Sequence, residues 1–413
     1  MTGKPDILGI ASWSLYDFAN TIFSMNVISL YFALWVTVDH GGQDIVYSFA
    51  LSGSMLAVAV SVPVFGAISD RTGKRRGPLV LLTVVCVVCT AGIGLAGQLA
   101  QGLILFVLAN YCYQSAMVFY NGMLPAVSRG TDVGLVSGYG VALGYLGSIA
   151  GLLTVKPFVA AGGRGAAFLP TAILFFVFAV PCFLFVKDPE VRRAAPARLS
   201  DAWRALRQTA AQAARHRHLL KFILIHFLIL DVVNTIIAFM SVYAHKVIGF
   251  DDGQINAFLI VSTVSAMAGS LLIGWLVKIK GALWAYGLVL GIWAAALVTA
   301  AASHSATVFW LVGPMAGIGM GGVWVVSRAL LIRLSPPEQV GEFFGLYGLA
   351  GKMASILGPL LWGSTVWLFE STGTFKYRAA VSALFLISLA AIHLFRSLAR
   401  DLAKETANPQ QTG

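Results

Sequence analysis

Twelve apolar runs, most of them about 20 residues or longer, follow one another along this chain, and about 20 apolar residues in a helix cross a bilayer. They lie near 7–37, 45–69, 79–99, 102–127, 134–156, 166–186, 220–245, 254–277, 282–302, 306–332, 342–369 and 376–396. A chain of 413 residues that is 58% hydrophobic and 11% charged, with mean hydropathy +0.82, cannot cover itself in water. Soluble domains carry about 25% charged residues, so lipid must be the solvent here. The first run begins near Ile7 and continues too far for the core of a cleavable signal, so none is expected.

Most connections between runs are short; the exception is 187–219, a polar stretch with Pro189 and Pro196 near the middle of the chain. Within it Leu199, Trp203, Leu206 and Ala210 recur at helical spacing among Arg198, Arg204, Arg207 and Arg215, the pattern of a basic amphipathic helix in the headgroup region. The expected organisation is therefore an N-terminal six-helix bundle over 1–186, a cytoplasmic linker with an amphipathic helix over 187–219, a C-terminal six-helix bundle over 220–397 and a cytoplasmic tail over 398–413. Placing both termini and the loops after even-numbered spans in the cytoplasm puts 21 of the 28 Lys and Arg there. Only Lys156, Arg164, Lys246, Lys376 and Arg378 fall on the other side, so basic residues fix the orientation. The formal charge of +11 is thus read as topology, not as a nucleic-acid footprint. The expected location is the plasma membrane, the inner membrane of a bacterium.

The halves repeat one another. Shifted by 207, Ser137, Gly138, Gly144, Ser148, Ile149 and Gly151 fall on Phe344, Gly345, Gly351, Ser355, Ile356 and Gly358. Shifted by 208, Gly66 and Gly73 fall on Gly274 and Gly281; shifted by 214, Asp17, Asn20 and Thr21 fall on Asp231, Asn234 and Thr235. Three collinear matches at nearly one offset indicate parallel repeats of six spans, with a substrate path between them.

Charged side chains near the bilayer centre are costly and normally face a cavity or one another. Asp17, Asp231 and Lys352 each lie about ten residues into a span, close to mid-membrane. Asn20, Thr21 and Ser24 share a helical face with Asp17, and Asn234 and Thr235 stand likewise to Asp231. Asn110, Tyr113, Gln114, Met117 and Asn121 form one stripe on span 4, and Gly317, Gly321, Trp324 and Arg328 form its counterpart on span 10. Arg328 reads equally as a gate residue or as a base snorkelling to the surface, while Gly317 and Gly319 read as helix-packing sites. Lys352 has no repeat mate, Tyr145 taking its place; it suits pairing with Asp17 or Asp231, or with a substrate carboxylate. Burial lowers a Lys pKa and raises an Asp pKa, so protons are a candidate coupling ion.

Between spans 2 and 3 lies Gly66-Ala-Ile-Ser-Asp70-Arg71-Thr-Gly73-Lys74-Arg75-Arg76-Gly-Pro78, whose charges confine it to the membrane surface. The pattern G-x-x-x-D-R-x-G-[RK]-R-[RK] resembles the loop signature of the major facilitator superfamily. The resemblance implies an all-α polytopic membrane protein, with 12 transmembrane helices as two parallel six-helix repeats, whose spans 1, 4, 7 and 10 line a central cavity. It also implies that Gly66, Asp70, Arg71, Gly73 and Arg75 form a cytoplasmic gate that latches the outward-open state. The second half keeps only Gly274-Trp-Leu-Val-Lys278-Ile-Lys280-Gly281 at this place, so the latch is one-sided.

Two segments resemble a narrower family. Trp13-Ser-Leu-Tyr16-Asp17-Phe18-Ala19-Asn20-Thr21 is similar to the opening of the Atg22-like group, which includes the vacuolar effluxer and bacterial UMF-type transporters. Gly341-Glu342-Phe343-Phe344-Gly345, Tyr347, Gly351-Lys352, Ser355 and Gly358-Pro359 are similar to that group's span 11. This resemblance implies roles for Asp17, Asn20 and Lys352 and, from the fungal members, amino-acid export. Two departures stand out: Asn110 occupies the approximate place of the superfamily's span-4 Arg, and the Gly-Pro pair often linked to antiporters on span 5 is absent there. Symport and antiport both stay open.

The function expected is secondary transport of an amino acid or other small zwitterion or organic anion by alternating access. The alternatives are export of drugs or lipophilic metabolites through Tyr113, Met117 and Trp324, and a transport-inactive receptor. An enzyme is set aside, because His216, His218 and His226 are the only local His grouping and the 216/218 pair sits in a basic linker with no acidic partner in the sequence nearby. No ATP-binding motif occurs. Cys86 and Cys89 form a C-x-x-C without a second ligand pair, so no metal or other cofactor is expected. The partners are the small solute, the coupling proton and the lipid bilayer, and the chain is expected to act as a monomer.

Overall fold

The computed structural model describes residues 6–129, 133–188, 216–335 and 340–407. The amphipathic segment expected over 199–210 lies outside them. Twelve long helices occupy the described residues: α1 (Ile7–Asp39), α2 (Asp44–Thr72), α3 (Arg76–Ile93), α4 (Leu99–Val127), α5 (Val133–Gly162) and α6 (Phe168–Phe185). After the linker come α7 (Arg217–Tyr243), α8 (Asp252–Lys280), α9 (Ala282–Ala302), α10 (Val312–Leu334), α11 (Val340–Leu368) and α12 (Phe375–Ala407). Among the described residues eleven helices are long and apolar enough to cross a membrane; α11, with Lys352 near its middle, is the twelfth long helix. Large apolar side chains such as Leu81, Leu95, Leu271 and Leu368 are exposed, which lipid tolerates and water does not.

Helix ends follow from local chemistry. Asp6 caps α1 by accepting from Gly9 N at 3.0 Å. Asp251 and Gln254 bond reciprocally at 2.7 and 3.0 Å, a capping box that starts α8. The six described residues with left-handed φ are all glycines: Gly41, Gly73, Gly163, Gly249, Gly281 and Gly373. They pair across the chain at offsets of 208, 208 and 210, so the turns repeat along with the helices. Both α1 and α7 also change winding near their ends. Ser24–Tyr31 and Trp35–Asp39 of α1 and Ala244–Ile248, which continues α7, are π-helical, a winding concentrated at functional segments.

The structure divides into two compact units. The first takes the described residues up to 203 together with Ile237–His245 and Asp251–Asn256; the second takes Arg204–Ile236, Lys246–Phe250 and Ala257 onward, again over the described residues. In the first unit α1 packs on α5 and α6, α3 on α4 and α6, and α2 on α4. In the second α9 packs on α10 and α12, and α11 on α10 and α12. The α1 and α7 spans are the most enclosed, 78% and 72% buried over their apolar windows. Several boundaries differ from the sequence expectation, two of them with a clear local cause. Helix α3 stops at Ile93, where Gly94, Leu95 and Ala96 turn back through i→i+3 bonds. The stretch read as a tail from 398 is helical to Ala407, because Asp401 and Glu405 hold α12 to α7 through Lys221 (2.5 Å) and His218 (2.6 Å).

Glycines set the closest crossings. A Cβ on Gly317 or Gly321 of α10 would stand 2.2 Å from the Ser262 or Ala266 carbonyl oxygen of α8, so these backbones touch directly. Gly291 of α9 has nothing within 4 Å of such an atom. Gly321→Val should therefore lower stability by about 1–3 kcal/mol through overpacking, read as a fall in the melting temperature of the detergent-solubilised protein. Gly291→Ala should leave the melting temperature unchanged or raise it.

Candidate functional site

The acid, amide and hydroxyl expected on α1 are held by its crossing with α5. Thr21 Oγ1 donates to the Gly144 carbonyl at 2.6 Å. A Cβ on Gly147 would lie 2.3 Å from the Phe18 carbonyl, and one on Gly140 would lie 2.6 Å from Asp17 Oδ2. Asp17 is half-buried and engaged. Its neighbours are Tyr113 and Tyr120 of α4, whose hydroxyls lie within its electrostatic reach. Tyr113 also lies within hydrogen-bonding reach of Ser24 and Asn20. Asn20 is buried, and its Oδ1 has no hydrogen-bond partner among the described residues. Thus Asp17, Asn20 and Tyr113 gather at one place. Gln114, the next residue of the stripe, is half-buried and engaged.

Asn110 does not join them. It is fully buried, and its amide donates to Ser54 Oγ of α2 at 2.7 Å. The bond ties α4 to α2.

In the second unit the α7–α11 crossing repeats the α1–α5 one. Asn234 Nδ2 donates to Ser355 Oγ at 2.8 Å, and Thr235 bonds back to the Asp231 carbonyl at 2.7 Å. Gly358 lies over both: a Cβ there would be 1.9 Å from Thr235 Oγ1 and 3.0 Å from Asp231 Oδ1. Asp231 is 3% exposed, and its Oδ1 accepts no hydrogen bond of ordinary geometry among the described residues. Lys352 is half-buried and engaged. On α10, Arg328 is exposed and Trp324 is 37% exposed, so both present their side chains at a surface of this unit.

The loop between α2 and α3 is built on Arg75. Gly73, with φ 66°, ends α2 by donating to the Ser69 carbonyl at 3.0 Å. That left-handed turn needs glycine. Arg75 Nε donates to Ser69 Oγ at 2.9 Å, and its Nη1 donates to the Gly122 carbonyl of α4. The backbone N–H groups of Arg75 and Arg76 both donate to Asp188 Oδ1, at 2.8 and 2.7 Å, just past α6. A Cβ on Gly66 would meet nothing within 4 Å, so the close approach lies at Gly73 and Arg75. The side chains of Asp70 and Arg71, expected as the latch, lie outside the described residues.

Pairing missed by the sequence reading sits in the first unit at Arg164, between α5 and α6. Its guanidinium grips Asp252 through Nε (3.1 and 3.3 Å) and Nη2 (2.9 Å), and bonds Asp39 through Nη1. One turn further along α8, Asn256 Nδ2 donates to the Tyr31 hydroxyl at 3.0 Å. These partners are 88 to 225 residues apart, so no local pattern points to them. The one local signal is the Asp251–Gln254 cap, which aims the start of α8. His226 was passed over too: it is fully buried, stacked on Tyr347. Among the described residues no group of three His, Cys, Asp or Glu is placed to hold a metal ion.

Arg75→Ala should leave the Ser69 hydroxyl and the Gly122 carbonyl without their charged donor. Bonds to charged groups are worth about 1.5–3 kcal/mol, so the melting temperature should fall clearly. Arg75→Lys, unable to fork to both acceptors, should recover only part of it.

The family profile described as "Vacuole effluxer Atg22 like" matches residues 43–408. The uncharacterized MFS-type transporter YxiO of Bacillus subtilis is 27% identical over 97% of this chain and 96% of its own length. Autophagy-related protein 22 of Saccharomyces cerevisiae is 23% identical over 89% of this chain and 74% of its own. Among solved structures, a single-site mutant of the nucleoside transporter NupG superposes with a TM-score of 0.80 at 11% identity, covering 95% of this chain and 99% of that one. An inward-facing, unoccupied bacterial homolog of the human lysosomal transporter Spinster gives 0.74 at 13%, covering 96% and 97%. The fold is thus the polytopic major facilitator fold expected from the repeats.

Proposed function

Because the chain belongs to the Atg22-like vacuole effluxer family, we propose that it is a secondary transporter of the major facilitator type. It moves an amino acid or another small zwitterion or organic anion across the plasma membrane by alternating access of its two six-helix repeats, with protons as the coupling ion and both termini cytoplasmic. The observation that carries this reading is the repeated acid–amide pair on the two most enclosed helices, Asp17 with Asn20 on α1 and Asp231 with Asn234 on α7. A carboxylate at mid-membrane costs several kcal/mol, and two of them at repeat-related places are paid for by use, not by packing. With Lys352 they offer both signs of charge, which suits a solute carrying both. Tyr113, Gln114 and Asn20 supply the polar contacts in this reading, and Arg328 with Trp324 lies toward the entrance. Asp70, Arg71, Gly73 and Arg75 latch the linker side in one state.

The exposure of Trp324, with Met117 half-buried on α4, favours a second reading, export of lipophilic metabolites. A melting-temperature screen against amino acids, organic acids and drugs separates the two. A ligand at 100 times its Kd stabilises by about 2.7 kcal/mol. The primary reading expects a shift with an amino acid or small anion that is lost in Asp17→Asn and in Lys352→Ala. Shifts with drugs alone favour the second reading, and shifts that survive both substitutions count against the site.

Coupling has its own test in proteoliposomes. Asp231→Asn, which cannot change charge, should abolish uptake driven by a pH gradient while preserving counterflow exchange. Gradient-driven uptake at the wild-type rate would remove Asp231 from the coupling step.

A further inference from the structure

The two units contain the same interhelical box filled in different ways. In the first, the Trp13 ring of α1 stacks on Tyr120 of α4 with centroids 4.5 Å apart and planes 7° from parallel. Opposite it on α5 is Gly140, where a Cβ would stand 2.9 Å from the Trp13 ring. Moving 207 residues along the chain turns Tyr120 into Ser327 of α10 and Gly140 into Tyr347 of α11. At the offset of 214 that pairs Asp17 with Asp231, His226 of α7 corresponds to Ser12, the residue before Trp13. In the second unit His226 stacks on Tyr347, 4.1 Å between centroids and 11° from parallel. The Tyr347 hydroxyl shares a 2.7 Å hydrogen bond with Ser327 Oγ. Each unit thus stacks a ring of its first helix on a tyrosine here, an indole in the first and an imidazole in the second.

The indole is satisfied: Trp13 Nε1 donates to the Tyr120 carbonyl at 3.2 Å. The imidazole is not. His226 is 0% exposed, and neither ring nitrogen has a hydrogen-bond partner among the described residues. Packing alone would choose an apolar ring here, since an unmade bond to a buried polar atom is costly. The groups around it are Tyr347 on α11, Ser327 on α10, and Phe222 one turn back on α7. Beyond Phe222 is Tyr286 of α9, whose buried hydroxyl also lacks a partner among the described residues. Tyr286 packs in turn on Phe395 of α12. Of the charged groups, Arg328 of α10 is within electrostatic reach of the Tyr347 hydroxyl, and Asp231 follows on α7 five residues on. His226 lies nine residues into α7, about 14 Å along the helix from its start.

We propose that His226 is a proton-exchanging group of the transport cycle, neutral and dry in the conformation seen here and hydrated in another. When water reaches the box, the unprotonated ring nitrogen takes a proton from hydronium, leaving water; the proton returns to water before the box closes dry again. Only N–H and O–H bonds form and break. Histidine suits the task because its charge changes near neutral pH, and intramembrane His residues mark proton relays. The proposal rests on the secondary-transport reading, and its first test needs no cargo.

Wild-type protein in liposomes is treated with diethyl pyrocarbonate at pH 7.5, and histidine peptides are followed by mass spectrometry. The reagent modifies neutral imidazole that water can reach. The expected result is modification of His226 in folded protein, slower than that of the exposed His304. Resistance of His226 after His304 has reacted to completion would overturn the proposal. In a second arm, vesicles containing pyranine report proton movement during net uptake of a mixture of amino acids. His226→Gln should keep amino-acid counterflow and lose most proton movement, and His226→Phe should do the same if it remains monodisperse. Proton movement at the wild-type level in either variant overturns the proposal. If wild-type protein moves no amino acid, the cargo reading fails and the footprint still decides His226.

Discussion

Hydrocarbon offers no hydrogen bonds, and the rest of the structure is arranged around that fact. A polar side chain inside the membrane has to find its partner on its own helix or on a neighbour close enough to reach. Here glycine creates the closeness. Gly147 lets α5 meet the Phe18 carbonyl, and Thr21 then bonds across to Gly144. Gly358 lets α11 meet the Asp231 carbonyl, and Asn234 bonds across to Ser355. The same two crossings that satisfy polar groups also fix the positions of Asp17 and Asp231.

Against that background the unsatisfied groups carry information. Asn20 Oδ1, both amide atoms of Asn26, Asp231 Oδ1 and both nitrogens of His226 are buried without partners among the described residues. Such atoms occur on α1 and α7, the most enclosed spans, and also elsewhere, among them Asn110 Oδ1 of α4, Asn256 Oδ1 of α8 and the Tyr286 hydroxyl of α9. A buried polar group left unmade costs about 1–3 kcal/mol, which accumulates into a burden that a purely structural helix would shed. Asn26 also sits within the π-helical stretch of α1, where backbone winding is already irregular. Local rules are broken on the helices to which the function is assigned, which is where exceptions are expected.

Much of this was legible in the residues. Run length placed the spans, and the Gly and Asp–Asn offsets found the repeat that the paired left-handed glycines at 41 and 249, 73 and 281, and 163 and 373 display in three dimensions. Helical spacing put Asp17, Asn20 and Thr21 on one face, but it could not say what that face meets. Asn110 shows the limit: its stripe runs through Tyr113, yet its amide is bonded to Ser54 of α2. A period of 3.6 defines a face, and a helix 29 residues long meets different neighbours along it. Arg164 was invisible for another reason, since Asp39 and Asp252 reach it from 125 and 88 residues away. Helix α12 continues past Arg396, where hydropathy falls, because Lys221 and His218 hold its end.

The repeat also separates what a scaffold needs from what a cycle needs. Close glycine crossings and left-handed turns, present in both halves, are what any six-helix unit of this kind requires. Features present in one half break the symmetry. Lys352 stands where Tyr145 would be, His226 where Ser12 would be, and the basic turn at 74–76 where the second half has Ala282, Leu283 and Trp284. Parallel repeats share one orientation in the membrane, so sidedness is already present in each unit. The turn built on Arg75 adds to it chemistry held by one unit alone. The coupling proposed for Asp231 and for His226 therefore draws on both kinds of position, one with a titratable counterpart in Asp17 and one without.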